Sequence, residues 1–313
     1  MWSHMVQEGN DVITKLFPAF GTMNSITLFD ACDASILEEI KQRSLQMHSR
    51  FSFFRPESEL SQINQQAGVC PVPIHRDTFT LLSLAVGYAK DTKGTFDVTA
   101  GAISELWKNA IRTSTLPSEP DVEHSRFCCG IEHLELDCIH RTAFLKQKGI
   151  KLDLGGIVKG YAADEVRRIL QQYGVQNARN NFGGTVVTMG KIQNIGIQNP
   201  FQKTGDAMAR IPLKNKAIVT SGSYEQCFFH QGKRFHHIID PRTGMPACAG
   251  LLSVSLIGEE AVALDALATG ICCLGVEAGM PIIERYGISA IFVTDDGRVH
   301  ITPDLQGQIT FAG

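Results

Sequence analysis

The segment Ser221–Thr269 reads, at its three polar clusters, Ser221-Gly222-Ser223-Tyr224, His237-Ile238-Ile239-Asp240-Pro241-Arg242-Thr243-Gly244 and Leu264-Asp265-Ala266-Leu267-Ala268-Thr269. The last cluster is apolar enough to predict a buried helix, and its spacing places Asp265 and Thr269 one turn apart on one face. A carboxylate and a hydroxyl are hard oxygen ligands, which suit Mg²⁺ rather than zinc. A metal site beside a His-x-x-Asp cluster indicates chemistry on a phosphate.

The middle cluster has two interpretations. Asp240-Pro241-Arg242-Thr243-Gly244 has the composition of a tight turn, in which Asp240 bonds its own backbone. His237 precedes the turn and is of the residue type best suited to proton transfer near neutral pH. The neighbouring His236 leaves the choice between the two histidines open, because adjacent strand residues face opposite sides.

Three further stretches are compatible with either a ligand site or ordinary structure. Leu152–Asp164 predicts a strand, a glycine turn and the start of a helix, where backbone N–H groups and Lys159 would attract an anion. This stretch is neither the G-x-G-x-x-G fingerprint nor a Walker A loop. The glycine pair within Asn180–Thr185 permits close approach of a ligand or a bulge. Phe96–Thr99 is either an N-cap or part of a binding site.

Segments typical of strands and of helices alternate without a strict βαβ rhythm, which predicts an α+β fold with mixed sheets and packed helices. The predicted helices are Ala34–Met47, Thr78–Thr92, Ala102–Ile111, Gly156–Gln172, Glu260–Cys273 and Met280–Tyr286. The predicted strands are Asn24–Phe29, Ile150–Leu154, Thr185–Met189, Asn194–Gln198, Ala217–Thr220, Cys227–His230 and Leu252–Ile257, with hairpins at His133–Leu136/Thr142–Gln147 and Ala290–Thr294/Val299–Ile301.

Composition excludes several classes of protein. The chain has 313 residues, which is long enough for one large domain or two closely packed lobes, and it is 43% apolar and 19% charged, as folded proteins are. A net charge of −3 lacks the basic footprint of a nucleic-acid-binding protein. No uninterrupted apolar run reaches the roughly 18 residues that a membrane span needs. We therefore expect neither nucleic acid nor a membrane span.

The N-terminus and the cysteines bear on the compartment. Residues 1–8 have no basic n-region and no apolar h-region, so the sequence as written predicts a cytoplasmic protein. Ser3-His4-Met5 is typical of a cloning remnant, and if it replaced a natural leader the expected location becomes the periplasm. The nine cysteines contain no C-x-x-C pair and are expected to be free, buried thiols, as in a reducing compartment.

Taken in order, the clusters resemble those of the FAD:protein FMN transferases, the flavin transferases of the ApbE family. The landmarks are Phe20-Gly21-Thr22, Phe51–Phe54, Ser58-Glu59-Leu60, Asn64, Gly94–Thr99, Leu106-Trp107, Leu152–Asp164, Asn181–Gly184, Ser221–Tyr224, His237–Gly244 and Asp265–Thr269. The resemblance covers roughly residues 17–305. It implies a single flavin transferase domain over residues 17–313, after an N-terminal tail of residues 1–16 that is partly of cloning origin. It also implies two closely associated lobes with an FAD cleft between them.

The resemblance further implies an activity. Such enzymes use Mg²⁺ to move the FMN part of FAD onto a Thr or Ser hydroxyl of an acceptor flavoprotein, with release of AMP. The implied acceptors carry an FMN-binding domain of the sodium-pumping quinone reductase, electron-transport-complex or fumarate reductase type. The implied site comprises His237 as the catalytic residue, Gly156, Asp265 and Thr269 at the metal, and Phe20, Phe54, Thr95, Phe96, Asp97, Asp153, Lys159, Ile238 and Asp240 at FAD.

Some positions depart from the family pattern, and two other functions use the same residues. Phe20 stands where Met is usual, Thr185 where an acidic residue or Asn is common, and Ser223 where Asp is common. The alternatives are an FAD pyrophosphatase that releases FMN and AMP, and a protein that binds FAD without catalysis. A pure binder would not need His237, which favours catalysis.

Overall fold

The computed structural model describes residues 5–7, 12–30, 32–202 and 205–311, and in this part of the chain it contains seven α-helices and nineteen strands. The helices are α1 Ser35–Arg50, α2 Glu59–Gln65, α3 Arg76–Asp91, α4 Gly101–Thr113, α5 Glu119–Phe127, α6 Val158–Gln172 and α7 Ala261–Tyr286. The strands are β1 Met5–Gln7, β2 Ile13–Ala19, β3 Thr22–Leu28, β4 Val72–Pro73, β5 Leu134–Asp137, β6 Thr142–Leu145, β7 Ala178–Phe182, β8 Thr185–Met189, β9 Gln193–Gln198, β10 Ala207–Leu213, β11 Ala217–Gly222, β12 Cys227–His230, β13 Lys233–His236, β14 Ile239–Asp240, β15 Met245–Pro246, β16 Leu251–Gly258, β17 Ser289–Thr294, β18 Val299–Ile301 and β19 Thr310–Phe311.

The largest element is a nine-stranded antiparallel sheet in the order β1-β2-β3-β7-β8-β11-β16-β17-β18. Helices α1, α6 and α7 pack on one face, and a small sheet in the order β19-β10-β9 covers part of the other. Because successive strand residues face opposite sides, Val187 and Val219 join the helical core while Val186 and Ile218 join the smaller core. A sheet covered on both faces explains why every residue of β16 is buried.

Helix α7 crosses the centre of the molecule. The two helices predicted over Glu260–Cys273 and Met280–Tyr286 are found as this one element, whose backbone leaves the helical conformation at Gly275 with φ of 83°. Within the described residues, α7 alone is long and apolar enough to cross a membrane by length and composition. Of its most apolar window, 61% is buried inside the protein, as is typical of a core helix.

A second group of elements packs around Trp107 of α4. The indole is stacked on Phe235 of β13, with ring centroids 5.8 Å apart. Its Nε1 donates a hydrogen bond of 2.8 Å to the carbonyl of Gly244. These contacts hold the turn that follows His237 against α4, which brings segments far apart in sequence to one place.

The structure confirms the α+β class and most predicted elements, including both hairpins, but three expectations need correction. The segment Ile150–Leu154 is not a strand: it makes one isolated bridge, Ala100 with Lys151, and the Asn64 amide binds its backbone at Leu152. Phe96–Thr99 supplies no N-cap to α4, whose N-cap residue is Ala100 without a side-chain hydrogen bond.

The third correction concerns the burial of the thiols, while the predicted N-terminal tail of residues 1–16 is described only in part and stays a prediction. Strand β2 begins at Ile13, so the large sheet extends into the segment assigned to an N-terminal tail, while residues 1–4 and 8–11 lie outside the described part. All nine cysteines are described and free, as predicted, but Cys70, Cys138 and Cys248 are exposed rather than buried.

Candidate active site

Asp265 is a residue of α7, and its side chain lies at the N-terminal end of α6, where the two helices meet. Its side chain is buried, and its Oδ2 accepts a hydrogen bond of 2.9 Å from the backbone N–H of Gly160. Glycine permits this contact, because a Cβ at Gly160 would lie 2.3 Å from the carbonyl oxygen of Ala261. The N-terminal end of a helix dipole favours a negative charge. The two helices therefore hold a buried carboxylate in a place that stabilises it.

Thr269 follows Asp265 by one turn of α7 and faces Gly156. Its Oγ1 donates to the carbonyl of Asp265 at 3.1 Å, which leaves the hydroxyl lone pairs free. A Cβ at Gly156 would lie 3.1 Å from Thr269 Oγ1 and 3.4 Å from the ring of Phe96, so glycine keeps this space open. The three predicted metal-site residues are thus adjacent.

The chemistry of this group fits a magnesium ion. Among the described residues, no group of three or more His, Cys, Asp or Glu side chains forms a metal site. A metal here would therefore depend on the one carboxylate of Asp265, the hydroxyl of Thr269 and a backbone oxygen at Gly156. Such a set of hard oxygen donors, completed by water or substrate oxygens, suits Mg²⁺ and does not suit zinc.

Lys159 brings a positive charge to the same place. Its Nζ lies 3.5 Å from Asp265 Oδ1 and donates to the carbonyl of Gly155 at 3.0 Å. Lys159 is the second residue of α6, so its ammonium and the first backbone N–H groups of the helix share one end of α6. An anion that approached this end would find both kinds of donor.

Asp153 is held by a second lysine. Its Oδ1 accepts from the backbone N–H of Gly155 at 2.9 Å, and its Oδ2 lies 2.6 Å from Nζ of Lys108 on α4. Burial raises the pKa of Asp153, but the charge and hydrogen bond of Lys108 outweigh burial, so the pKa lies below its ordinary value. Asp153 is therefore a carboxylate at neutral pH.

Phe54 stands beside the same lysine. Its ring is 75% exposed, which is unusual for a phenylalanine and leaves a flat apolar face open to a ligand. The Lys108 ammonium lies 5.5 Å from the centroid of this ring and 5.2 Å from that of Phe53. The two rings pack edge to face at 5.3 Å.

His236 and His237 have opposite environments, and the structure separates them. Both ring nitrogens of His236 are bonded, Nε2 with the carbonyl of Ala247 at 3.0 Å and Nδ1 with the N–H of Ile238 at 3.3 Å. Nδ1 of His237 is buried without a hydrogen-bond partner. Burial, followed by His236 and more distantly by the site lysines, lowers the pKa of His237 to about 4. His237 is therefore a neutral imidazole near the two site lysines.

The predicted FAD residues Thr95, Phe96 and Asp97 divide into two groups. Thr95 is buried beside α7, with its hydroxyl bonded to a backbone carbonyl, and Phe96 presents its ring to Gly156. Asp97 accepts hydrogen bonds from the backbone and hydroxyl of Thr99. Burial raises the pKa of Asp97, and the bonds from Thr99 offset part of the increase. These bonds hold Asp97 locally, and its assignment to FAD stays a prediction.

Asp240 behaves as the turn residue that the sequence also allowed. Its carboxylate forms two-pronged hydrogen bonds with Arg242, and its carbonyl accepts from the backbone of Thr243 and Gly244. Ile238 is buried in the main core. Both residues remain near α7, because Sγ of Cys273 donates to the carbonyl between them at 3.6 Å.

Phe20 lies in a different environment from the other predicted residues. It occupies the β2–β3 turn with φ of 54°, and its backbone N–H donates to Nδ1 of His48 at 3.1 Å. Its ring packs on His48 and Phe182. None of these contacts joins it to Asp265, so its assignment to FAD stays a prediction.

Sequence reasoning missed Lys108 and the backbone of Gly160. Lys108 follows the landmark Leu106-Trp107 on an amphipathic helix, where a lysine is normally a solvated surface residue, so nothing local marked it. Gly160 lies inside the predicted helix, where a glycine costs stability and usually has a packing reason. That signal was present, because the residue makes the close contact between α6 and α7.

Comparison with known proteins identifies relatives over most of the chain. Residues 20–292 match the model of the ApbE family. The FAD:protein FMN transferase of Klebsiella pneumoniae (strain 342) is 35% identical over 262 residues, covering 82% of this chain and 83% of the relative. The protein of the same name from Treponema pallidum (strain Nichols) is 30% identical over 292 residues, covering 87% and 81%.

Solved structures agree over nearly the full length. The ApbE protein from Thermotoga maritima superposes with a TM-score of 0.86 at 28% identity, covering 98% of this chain and 99% of that one. A histidine-to-glycine variant of the flavin transferase ApbE from Vibrio cholerae gives a TM-score of 0.85 at 28% identity, covering 96% and 100%. Because the matches in sequence and in fold both extend across the site and its scaffold, this chain belongs to the ApbE family.

Proposed function

We propose that this protein transfers the FMN part of FAD to a Thr or Ser hydroxyl of an acceptor flavoprotein, with Mg²⁺ bound and AMP released. The observation that carries the proposal is the convergence of a buried carboxylate, Asp265, two ammonium groups and the imidazole of His237 on one place in the fold. Relatives that match most of the chain bear the name FAD:protein FMN transferase, which is the activity such a site serves.

The charges suit a pyrophosphate. FAD carries about two negative charges on its phosphates, and Lys159 and the N-terminal end of α6 supply positive potential. Asp265, Thr269 and a backbone oxygen at Gly156 would hold the metal. When bound, Mg²⁺ neutralises charge that develops on the phosphate oxygens.

The reaction forms one P–O bond and breaks another. The acceptor hydroxyl oxygen attacks the phosphorus of the FMN phosphoryl group, and the bond to the AMP oxygen breaks, so AMP leaves. The hydroxyl proton passes to a ring nitrogen of His237, which is neutral at pH 7 because its pKa is about 4. So weak a base is sufficient, because phosphoryl transfer has a loose transition state and depends mainly on positioning.

Aromatic groups supply the ring contacts. Phe54 offers an exposed ring face, and Phe96 presents its ring to the space above Gly156. The exposed ring of Phe54 is suited to stack with the isoalloxazine or the adenine of FAD, since offset stacking of aromatic rings adds to the area that they bury, whereas the Phe96 ring is buried in the main core.

Two alternatives use the same residues. In an FAD pyrophosphatase water takes the place of the acceptor hydroxyl, and FMN and AMP both leave. A protein that only binds FAD would need the lysines and aromatic rings but not His237. The unpartnered nitrogen of His237, in a protein that otherwise bonds most of its buried polar atoms, favours transfer or hydrolysis over binding.

The test is incubation with FAD, Mg²⁺ and the FMN-binding domain of a sodium-pumping quinone reductase subunit, followed by intact mass measurement of that domain. Domains of the electron-transport-complex and fumarate reductase types serve as further acceptors. We expect the acceptor mass to increase by one FMN phosphoryl unit, and no increase when its target Thr or Ser is replaced by Ala. Release of FMN and AMP with no labelled acceptor would instead identify a pyrophosphatase.

A further inference from the structure

Lys108 contacts two other segments of the site from its own helix. Its ammonium bonds Asp153, which belongs to the extended segment before α6, at 2.6 Å. The same ammonium lies over the rings of Phe53 and Phe54, which belong to the loop between α1 and α2. Lys108 itself is on α4. A second ion pair, Lys151–Glu105, also joins α4 to the extended segment, but among the described residues only Lys108 brings an ammonium over the rings of Phe53 and Phe54.

The helix that carries Lys108 is fixed in place. The preceding residue, Trp107, is 1% exposed, stacks on Phe235 and donates to the carbonyl of Gly244. Because the helix is firmly packed, the backbone of Lys108 is fixed. Its ammonium can therefore hold the side chains that it contacts in place. Its side chain is 35% exposed and its partner carboxylate only 13%, which makes the pair partly buried and less screened by solvent than a surface ion pair.

The groups that Lys108 holds are those expected to contact FAD. Asp153 has its other oxygen on the backbone N–H of Gly155, next to the proposed metal site. Phe54 is the exposed aromatic ring. An exposed ring that moved freely would lose conformational entropy on stacking with a ligand, and a ring fixed beforehand loses less. A cation over the ring face is a suitable means of fixing it.

We propose that Lys108 is a positioning residue for FAD, which fixes the Asp153 carboxylate and the Phe54 ring relative to each other before the dinucleotide binds. This inference deepens the proposed function and rests on it. Lys108 acts through Asp153 and Phe54 and takes no part in bond making. Its loss therefore weakens binding of FAD while the rate of transfer at saturating FAD stays close to that of the wild type.

The experiment compares Lys108→Met, which keeps the length and apolar stem of the side chain, with Lys108→Arg, which keeps the charge. The matched control is Lys151→Met, because Lys151 pairs with Glu105 of the same helix at a similar exposure of 38% but touches neither aromatic ring. FAD affinity is measured by titration with Mg²⁺ present, and transfer by single turnover. We expect Lys108→Met to bind FAD roughly 10- to 100-fold more weakly, as for loss of a charge-assisted hydrogen bond. Lys108→Arg should recover most of the affinity, and Lys151→Met should match the wild type.

A double-mutant cycle with Asp153→Asn separates positioning from a direct contact of Lys108 with FAD. If Lys108 acts through Asp153, the double variant binds FAD no more weakly than the weaker single variant. If the fold-losses of FAD affinity in the two single variants multiplied in the double variant, Lys108 would contact the ligand independently of Asp153, and the inference would be overturned. The double variant also leaves no unpaired buried charge, so it carries the test if Lys108→Met does not fold; wild-type affinity in the double variant would then overturn the inference.

Two outcomes distinguish this inference from the proposed function. If the wild-type protein binds no FAD with Mg²⁺ present, both fail together. If the wild type binds FAD and Lys108→Met binds it equally well, or loses affinity only in proportion to its melting temperature as Lys151→Met does, the positioning role alone fails.

Discussion

His236 and His237 show how much a single step along the chain changes the chemistry available to a residue. His236 uses both ring nitrogens to hold the strand that enters the turn, while His237 keeps a buried nitrogen unpartnered. We expect His237→Ala to retain FAD binding and to lose transfer by about 10²- to 10⁴-fold, the usual range for one acid–base group. His236→Ala should lower the melting temperature and change the transfer rate little. Single-turnover transfer, FAD affinity and melting temperature measured on both variants separate these effects.

Two results would contradict the assignment of His237 as the acid–base group. A transfer defect larger in His236→Ala than in His237→Ala would reverse the roles of the two residues. Parallel loss of stability, FAD affinity and transfer in His237→Ala would show that this histidine only packs the turn.

The low pKa of His237 predicts a pH dependence of stability. The pKa is about 4 in the folded protein against an ordinary value of 6.5, so the folded state binds fewer protons than the unfolded state between these values. The contribution that the neutral His237 ring makes to the free energy of unfolding is complete above about pH 6.5 and is lost as the pH falls through about 4. The melting temperature of the wild type should therefore fall more steeply over this interval than that of His237→Ala. Equal slopes in calorimetric scans of the two proteins would rule out this effect.

Asp265 can be tested without disturbing its packing. Asn at this position keeps an acceptor for the N–H of Gly160 but removes the charge that faces Lys159 and the proposed metal. We expect Asp265→Asn to fold with a melting temperature near that of the wild type. For transfer it should need a Mg²⁺ concentration that is higher by at least about 10- to 100-fold. Thr269→Val should act in the same direction less strongly, because water replaces a neutral oxygen easily. An unchanged Mg²⁺ titration in Asp265→Asn would remove Asp265 from the metal site.

Sequence alone identified those residues whose signal is local. Asp265 and Thr269 stand out because a carboxylate within an Ala- and Leu-rich helix needs an explanation, and their spacing fixes a common face. The two histidines were left open because their difference depends on Ala247, which is remote from the strand pattern. Lys108 was missed because its partner, Asp153, is 45 residues away and only the folded chain joins them.

At the scale of elements, the contact between α6 and α7 shapes the site. Gly160 lets the two helices approach, since a Cβ would lie 2.3 Å from the carbonyl oxygen of Ala261. We expect Gly160→Ala to push the helices apart, to destabilise the protein by about 1–3 kcal/mol as overpacking does, and to weaken Mg²⁺-dependent FAD binding. Chemical denaturation and FAD titration measure the two effects.

The control is Gly87→Ala in α3, where a Cβ has no heavy atom within 4 Å. There alanine should stabilise the protein by about 0.5–1 kcal/mol, because it is the better helix former, and FAD binding should not change. If Gly160→Ala were as stable as the wild type, the helices would tolerate separation and this account of the site would be wrong.

The elements that sequence predicted best are those with a long periodic pattern, such as α1 and α3. Helices α2 and α5 were missed because they have only seven and nine residues, too few to establish a period, although Ser58 and Ser118 cap them as their type favours. The segment Ile150–Leu154 was misjudged because an alternation of apolar and polar residues over five positions does not by itself make a strand. Its backbone is held instead by the side chain of Asn64 and by the loop before α4.

At the scale of the whole molecule, the α+β class followed from the mixture of elements, but their arrangement did not. The nine-stranded sheet places β3 beside β7 and β11 between β8 and β16, pairings that no local pattern encodes. The site exists because this order brings α6, α7, α4 and the turn after β13 together. The sequence could therefore predict which residue types form the site and how they are spaced within one element. It could not predict the distances between residues on different elements.

Because the site is built from several elements, we expect ligand binding to increase the stability of the whole protein. FAD with Mg²⁺ should bind only the folded arrangement, and at 100 times its dissociation constant it would stabilise the protein by about 2.7 kcal/mol. For a chain of this size we expect the melting temperature to rise by about 4 °C. FMN should give a smaller shift because it lacks the pyrophosphate that Lys159 and the metal would engage. EDTA should reduce the FAD shift in the wild type, and a Mg²⁺ concentration that just saturates the wild type should increase the shift of Asp265→Asn much less. Equal shifts with FMN and FAD, with or without Mg²⁺, would place the ligand away from Asp265 and Lys159.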